Sequence, residues 1–579
     1  MLLEAKLAGK RYERGILHDH LSAVNKEYAI AFTQSGLARR PLGIDVVDHA
    51  VARFRIGYEL VAAVAPLKVA SHHHEKGAAM ATLFSRVKPL ARVLAEGRNE
   101  RQGLRRSLGP WSLTAMGIGM IIGTGIFVLT GVASATRAGP SLTISFVVAG
   151  IVSALAALCY AEVSSKVPIS GSAYTYTYAT MGELLAWIVG WGLVFEYGLG
   201  AAAVSVGWSG YFGYILRTLH IWDIPQVWLH SHFDATPGYV NLPAAGIMLI
   251  VTALLVKGAR ESGVVNAIIV SIKLAIVLFF IAIGIGHVDA ANYHLAPGPT
   301  AGTGGFFPFG WSGMLGGAAF IFFAYIGFDA VSTTAEEAKN PGRDLPFGII
   351  ASLVICTILY IVVAAILNGM VPFNQLNVAY PVAYALNRVG LDWAGVIISF
   401  GAIAGITTTL IVGLYGQTRI FYAMARDGLI PSIFVRLHPT WRTPWISQMV
   451  FGVAGAVVAA CFPLGILGSL TNMSTLVAFV LVAAAVPLLR KRHPELKGLF
   501  AVPFGPYVIP IAAALASICL IYFLKVGNPV VWGFFPLVWL AFLIWLLVGL
   551  AVYFSYGRRK STVALQEAEG LAIVQPTVN

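Results

Sequence analysis

Long apolar segments recur along the sequence, and they constrain the fold more than any other feature. Each segment is about 20 residues long, which is enough for a helix to cross the ~30 Å hydrocarbon core of a bilayer. Only 11% of the 579 residues are charged, whereas a soluble protein carries about a quarter. Runs such as LVICTILYIVVAAIL do not alternate between apolar and polar residues, which excludes an outer-membrane β-barrel. The sequence therefore predicts an all-α integral membrane protein.

Twelve transmembrane helices are predicted from these segments. Their approximate bounds are 111–134, 141–164, 184–215, 242–257, 264–286, 313–335, 347–370, 393–418, 445–462, 466–489, 507–525 and 532–556. The third predicted span is about 32 residues long, or ~48 Å at the helical rise, so we expect it to be strongly tilted.

The positions of the basic residues support this number of spans. If the N-terminus is cytoplasmic, sixteen Lys and Arg residues after the first span lie in cytoplasmic segments, and four lie outside: Arg137, Arg217, Arg388 and Lys525. An excess of Lys and Arg inside is the usual orientation signal, so both termini are predicted to be cytoplasmic. Eighteen of the 39 basic residues precede residue 111 and most others lie in short loops. The net charge of +13 therefore indicates orientation rather than nucleic-acid binding.

The ends of the chain differ from the spans in composition. Residues 1–79 are mixed and lack a segment long enough to span, so we interpret them as an N-terminal extension, disordered or produced by a start codon assigned too early. Residues 80–110 form a basic cytoplasmic segment, and residues 557–579 form a cytoplasmic tail. The three adjacent histidines at 72–74 are typical of a solvated run. We expect no metal or other cofactor, and no disulfide among four cysteines in apolar spans.

Two spans are interrupted by glycine. In the first, Gly117–Gly131 reads GIGMIIGTGIFVLTG, and Gly123 and Gly125 flank a threonine. Such a cluster either packs closely against another helix or lets the helix unwind. The sixth span also contains a glycine, Gly327, followed by the intramembrane carboxylate Asp329. Corresponding interruptions in two blocks predict an inverted repeat with a binding site at mid-membrane.

This pairing predicts a five-plus-five arrangement. The first repeat covers residues 111–286, the second covers 313–489, and two further helices occupy 507–556. A broken helix exposes N–H groups with the positive end of its dipole where the second half begins, which suits a carboxylate. The unpaired carbonyl groups where the first half ends suit an ammonium group. A site with both features fits an α-amino acid.

Several motifs in order resemble a known family. They are GIGMIIGTGIFVLTG, CYAEVSSKVPISGSAYTY, FFAYIGFDAVSTTAEEAKNPGRDLP, GQTRIFYAMARDGLIP and FAVPFGPYVIP. Together they resemble the amino acid–polyamine–organocation superfamily, and in particular its cationic amino acid transporter branch in bacteria. The resemblance covers about residues 100–560. It implies a secondary amino acid transporter of the inner membrane that works by alternating access.

The resemblance also implies the residues of the binding site. The substrate carboxylate and part of its amine would meet the backbone of Ile121, Gly123, Thr124 and Gly125. Carbonyl groups of Phe323, Ala324 and Ile326 would accept from the ammonium group. One of two aromatic residues, Phe323 or Phe328, would form an inner lid over the substrate. Gly413 stands where bulkier residues are common in bacterial relatives, so it would deepen the pocket for long side chains.

Ionisable residues inside the membrane are further candidates, because burial there is costly. Lys273 lies near the middle of the fifth span, and a lysine in a low-dielectric site can load and release a proton. By the resemblance it takes the place of a sodium ion, which predicts proton coupling, with Thr407 and Thr408 facing it. Three roles are open for Glu196: it could exchange a proton, attract a cationic substrate side chain or make a structural hydrogen bond to a neighbouring helix. Asp329 is expected to orient the sixth span, and Glu162 to belong to an inner gate or a loop-anchoring network.

The leading prediction is proton-coupled symport of cationic or neutral L-amino acids. An amino acid exchanger, a polyamine antiporter and a non-transporting amino acid sensor on the same fold remain open. The near match GIGMIIG lacks the spacing and the strand of a dinucleotide-binding motif, and motifs of ATPases and hydrolases are missing from the sequence. The chain is therefore not expected to be an enzyme. The amino acid transported, the stoichiometry and the oligomeric state stay open.

Overall fold

The computed structural model describes residues 86–89, 108–167, 172–234, 236–258, 263–298, 301–333, 335, 337–496 and 498–568. The predicted N-terminal extension, residues 1–79, lies outside the described residues. So do most of the predicted basic segment at 80–110 and residues 569–579 of the predicted C-terminal tail.

Helices dominate the described part of the chain. Those of eight or more residues are α1 (Pro110–Ile121), α2 (Leu142–Lys166), α3 (Ser172–Thr180), α4 (Glu183–Thr218), α5 (Leu242–Val256), α6 (Gly263–Gly284), α7 (Gly310–Ile321), α8 (Pro341–Met370), α9 (Pro381–Arg388), α10 (Asp392–Arg426), α11 (Trp445–Cys461), α12 (Leu464–Arg492), α13 (Val508–Phe523) and α14 (Leu537–Val552). The short helices α3 and α9 were not predicted.

Eight helical segments of the described residues are long and apolar enough to cross a membrane. The first of them joins the irregular helix after Gly125 to α2, and three shorter apolar helices, α5, α11 and α13, accompany them. The chain is thus a multi-pass membrane protein. Each predicted span overlaps one of these helices, but the prediction for the last was wrong at its start. Residues 530–536 form a two-stranded antiparallel hairpin, with Val530 opposite Pro536, and α14 begins only at Leu537.

The long helices α4 and α10 pack against each other, and α2 packs against α8. Small residues allow the close approach. A Cβ on Gly190 of α4 would lie 2.7 Å from the sulfur of Met424 in α10. In lipid, helices associate mainly through such packing and through interhelical hydrogen bonds, because the surrounding lipid is itself apolar. Gly190 therefore lets α4 and α10 approach closely at this point.

The described N-terminal residues 86–89 and the chain after α14 meet at one end of the bundle, which we call the terminal face. The ammonium group of Lys88 lies 2.7 Å from the carboxylate of Asp427, just after α10. That carboxylate also accepts a hydrogen bond from the Tyr174 hydroxyl at 2.8 Å. The first residue of α4, Glu183, accepts hydrogen bonds from the hydroxyls of Tyr553 and Ser561. Two terminal segments thus fasten the ends of α4 and α10.

Candidate functional site

The first candidate feature is an interruption after α1, which we call the first break (residues 122–124). The α-helix ends at Ile121, Ile122 has an extended conformation, and a π-helical turn begins at Gly125. Gly125 is required by close approach, because a Cβ there would lie 2.5 Å from the Cβ of Ala324. By contrast, Gly117 packs against Ser352 and Val331 of neighbouring segments. Both glycines therefore allow a close approach, but Gly125 does so at the point where the helix changes from the first break to a π-helical turn.

The second break (residues 322–329) follows α7. A single 3-10 stretch, Phe322–Tyr325, leads to an extended residue, Ile326. Gly327 then has a φ of +119°, a conformation that L side chains rarely adopt. The helix resumes at Ala330–Thr333. Gly327 is therefore the residue that permits this turn.

Both breaks border one cavity. It is lined by Met120, Ile121, Gly123, Thr124, Gly125, Glu196, Tyr197, Gly200, Ala201, Val204, Phe323, Ile326, Gly327, Thr409, Gly413 and Thr471. All but one of the predicted substrate-binding residues thus line this cavity. The exception is Ala324, which touches Gly125 across the junction of the breaks. Its carbonyl group stays a predicted contact.

Three side chains from outside α1, those of Tyr360, Lys273 and Thr409, reach the carbonyl groups around the first break. The hydroxyl of Tyr360 in α8 donates to the Ile121 carbonyl at 2.7 Å. Lys273, fully buried in α6, donates to the carbonyl of Gly119 and, at 3.1 Å, to the hydroxyl of Thr409. A lysine in this position does not reach towards the membrane surface. Because helix ends leave carbonyl groups without intrahelical donors, these side chains stabilise the broken form.

The expectation that Thr407 and Thr408 face Lys273 was wrong. Thr407 accepts from the indole nitrogen of Trp208 at 3.0 Å and donates to its own helix, and Thr408 donates to the Gly405 carbonyl. Thr409 is the threonine beside the ammonium group. Each residue turns an α-helix by about 100°, so consecutive threonines point in different directions. A shift of one or two positions therefore decides which hydroxyl meets the lysine.

Two carboxylates lie on the other side of the cavity. Glu196 of α4 is 2% exposed, and within the described residues its oxygens have no hydrogen-bond partner. The adjacent hydroxyl of Thr475 donates instead to the Thr471 carbonyl at 3.0 Å. Asp329 is also buried, and the backbone N–H groups of Gly327 and Ala330 face its carboxylate. The role of Asp329 in orienting the second break stays a prediction.

The two candidate lid residues occupy different environments. Phe323 lines the cavity. Phe328 is fully buried away from it, with its ring 5.8 Å from that of Tyr160 and 5.3 Å from that of Phe479. Of the two candidates, Phe323 is thus the one that borders the cavity in this structure. Its role as a lid stays a prediction.

Glu162 lies far from the cavity, near the end of α2. Arg490 donates to both of its oxygens, at 2.7 and 2.6 Å, and Lys166 adds an ion pair at 2.7 Å. The backbone N–H of Val502 donates to it at 2.8 Å, which fixes the segment after α12. Bidentate contacts of this kind are strong and directional. Glu162 therefore anchors a loop at this end of the bundle, which is the structural half of its predicted role.

Sequence reasoning missed several polar residues that the structure brings to the breaks: Tyr360, Thr409, Tyr197 and Asn472. Of these, only Thr409 carried a usable signal, since it continues the threonine run already singled out. The others are isolated polar residues within apolar helices, and their targets are distant in the chain.

Comparisons with known proteins cover the same part of the chain. A family model described as amino acid permease matches residues 108–559. The chain is 46% identical to the methylthioribose transporter of Bacillus subtilis over 83% of its own length and 99% of that protein's. It is also 46% identical to the branched-chain amino acid permease BcaP of the same organism, over 82% of this chain and 98% of that protein. Identity to mouse cationic amino acid transporter 4 is 39%, over 70% of this chain and 62% of the mouse protein.

Proposed function

The chain belongs to the amino acid permease family of the amino acid–polyamine–organocation superfamily, as its motifs predicted, and from this premise we propose that it is a proton-coupled symporter of L-amino acids. The observation that carries the proposal is that both helix breaks border one cavity. The proposed fold has twelve spans, with two inverted repeats of five followed by two further helices. The chain would work by alternating access to this cavity.

The lengths of the helices support the inverted repeat. In chain order, α1 to α6 have 12, 25, 9, 36, 15 and 22 residues. The next six, α7 to α12, have 12, 30, 8, 35, 17 and 29 residues. Both series start with a short helix that ends in a break, and both contain one very short helix in third place. The correspondence extends beyond the two glycine interruptions that first indicated it.

The substrate carboxylate would bind the backbone N–H groups of Gly123, Thr124 and Gly125. These groups lie where a helix resumes, which is where N–H groups lack intrahelical partners and the helix dipole is positive. The substrate ammonium group would meet carbonyl groups of the second break, from Phe323, Ala324 and Ile326. The Ile121 carbonyl already accepts from Tyr360, and its second lone pair stays available to the substrate.

The side chain of the substrate would extend towards Glu196 and Gly413. A Cβ on Gly413 would meet no atom within 4 Å, so the glycine leaves open space in the cavity wall. An unpartnered carboxylate in that cavity favours a guanidinium or ammonium group at the end of a long side chain. The remaining wall is apolar and small, with Gly200, Ala201 and Val204, and this suits neutral side chains. We therefore propose cationic and neutral L-amino acids as the substrate class.

Lys273 would couple transport to the proton. Its ammonium group bridges α6, the end of α1 and Thr409 of α10. Loss of the proton would weaken this bridge, because a neutral amine is a poorer donor than an ammonium group. The free end of α1 could then move relative to α10. Proton binding would restore the bridge and close the site from that side.

The terminal face would lie in the cytoplasm and the bundle in the cell's inner membrane. Four basic residues belong to this end of the bundle: Lys166, Arg490, Arg492 and Arg558. This agrees with the excess of positive charge on the cytoplasmic side of membrane proteins. The orientation can be checked by labelling single cysteines placed at residues 222 and 559 in intact cells. Reagent that cannot cross the membrane should reach only the first.

The function is tested with the purified chain in proteoliposomes. Labelled arginine, lysine, leucine and alanine are supplied outside, with and without an inward proton gradient. Uphill uptake that requires the gradient is the expected result. Uptake that ignores the gradient and requires internal amino acid or polyamine would indicate exchange, and binding without any uptake would indicate a sensor. Unlabelled methylthioribose serves as a competitor, since one relative is named for its transport.

A further inference from the structure

Asn472 makes two contacts at the end of α7 that the proposed transport cycle does not yet use. This residue of α12 is fully buried. Its side-chain nitrogen donates to the carbonyl of Ala319 at 2.9 Å and to that of Phe320 at 2.7 Å. Both carbonyl groups belong to the last turn of α7, directly before the second break. The amide nitrogen therefore makes both of these hydrogen bonds to the end of α7, the helix that leads into the cavity.

The orientation of this amide follows from its partners. A carbonyl group accepts hydrogen bonds and cannot donate them. If the amide were turned round, its oxygen would face two carbonyl oxygens in a buried site, which is costly. The nitrogen must therefore face α7. A side chain with no N–H donor at this position would leave the two carbonyl groups without these bonds.

Lys273 makes the corresponding contact at the other break. Gly119, whose carbonyl it holds, lies two residues before the end of α1, and Ala319 lies two residues before the end of α7. Lys273 belongs to α6 and Asn472 to α12, the sixth helices of the two series of similar lengths. In each half, the sixth helix therefore supplies a donor to the final turn of the first. The two donors differ in chemistry, because an ammonium group can lose a proton and an amide cannot.

We propose that Asn472 is a positioning residue that holds the carbonyl groups of the second break in one geometry for the substrate ammonium group, whatever the protonation state of Lys273. The proposal rests on the function proposed above. The two breaks would then differ in their response to pH. The contact of Lys273 at the first break depends on a proton, and the contacts of Asn472 at the second do not. Asn472 acts through α7 and does not itself touch the substrate.

The test compares Asn472→Leu, which has the same shape without donors, with Asn472→Thr, which keeps one donor. We expect KM for an L-amino acid to rise about tenfold in the leucine variant and less in the threonine variant, as the loss of two or one neutral hydrogen bonds implies. The pH dependence of uptake should keep its wild-type shape in both. The preference for the amino acid over its α-hydroxy analogue, measured by competition, should fall, because only the amino acid carries an ammonium group.

Gln417→Leu is the matched control, since this buried amide donates to the Val194 carbonyl at 3.1 Å and neither residue belongs to a break or lines the cavity. It should leave KM and the α-hydroxy discrimination unchanged. Wild-type values of both quantities in Asn472→Leu would overturn the inference. If the leucine variant does not yield folded protein in detergent, the threonine variant decides in the same way. A wild-type chain that neither binds nor transports an amino acid would instead overturn the proposed function.

Discussion

The two breaks follow helices of equal length, α1 and α7, but different contacts hold them. The first is short, and residues from three other helices reach it, among them the cation Lys273. The second is longer, contains its own carboxylate, Asp329, and turns at a glycine with positive φ. Its preceding helix is held by a neutral amide, Asn472. The comparison suggests that one break responds to the proton while the other keeps a fixed shape, and each prediction below tests part of that contrast.

The largest effect is expected where the breaks touch. Gly125→Val should abolish detectable substrate binding, a weakening of at least about 100-fold, because the new side chain would overlap Ala324 and force the breaks apart. Binding is measured by scintillation proximity with labelled amino acid. Gly246→Val is the matched control, since a Cβ there meets nothing within 4 Å. Normal binding by a folded Gly125→Val protein would mean that the glycine cluster serves packing alone.

Lys273→Gln should abolish uphill accumulation driven by a proton gradient, because glutamine can donate to the Gly119 carbonyl but cannot exchange a proton. The internal concentration should then approach the external one in proteoliposomes, while counterflow of labelled substrate continues. Lys257→Gln, at an exposed lysine after α5, should behave as wild type. Uphill accumulation by Lys273→Gln in response to a pH gradient would contradict the proposal that the first break responds to the proton through Lys273.

Glu196→Gln should separate the substrate classes. Glutamine cannot offer a carboxylate to a guanidinium or ammonium group, so the binding of arginine and lysine should weaken about tenfold, as expected for the loss of a charge-assisted contact. The binding of leucine should change little. Competition against one labelled substrate gives the ratio directly. Equal losses for leucine and arginine would show that the carboxylate is structural or serves the proton rather than the side chain.

The smallest effect is expected at Tyr360. Tyr360→Phe removes one hydrogen bond to the Ile121 carbonyl, so KM should rise by about threefold to tenfold. Tyr293→Phe is the control, because that hydroxyl donates at 2.8 Å to Ala365 of the same helix, away from the break. An unchanged KM in Tyr360→Phe would indicate that Lys273 and Thr409 suffice to hold the first break.

The sequence predicted those parts of the molecule that depend on local pattern. Apolar segments and loop charges predicted the helices. The glycines at 123, 125 and 327 predicted both breaks, because glycine is common where a helix unwinds. The apolar pattern does not reveal in which direction each side chain points around its helix. Thr407 and Thr408 were therefore predicted to face Lys273, whereas Thr409 makes the contact. Tyr360 and Asn472 could not be found at all, since a lone polar residue in an apolar helix does not reveal its distant partner.

The terminal face limits how far the chain can be shortened for expression. Removing residues 1–79 would leave Lys88 and its 2.7 Å ion pair with Asp427 in place. Removal of ten further residues would take away Lys88 and leave the 3% exposed carboxylate of Asp427 without this cation. Among the described residues, the Tyr174 hydroxyl would still donate to it. Because Asp427 follows directly on α10, which carries Thr409, removal of Lys88 would also change the contacts at the end of the helix that meets Lys273. Truncations for structural work should therefore stop before Arg86.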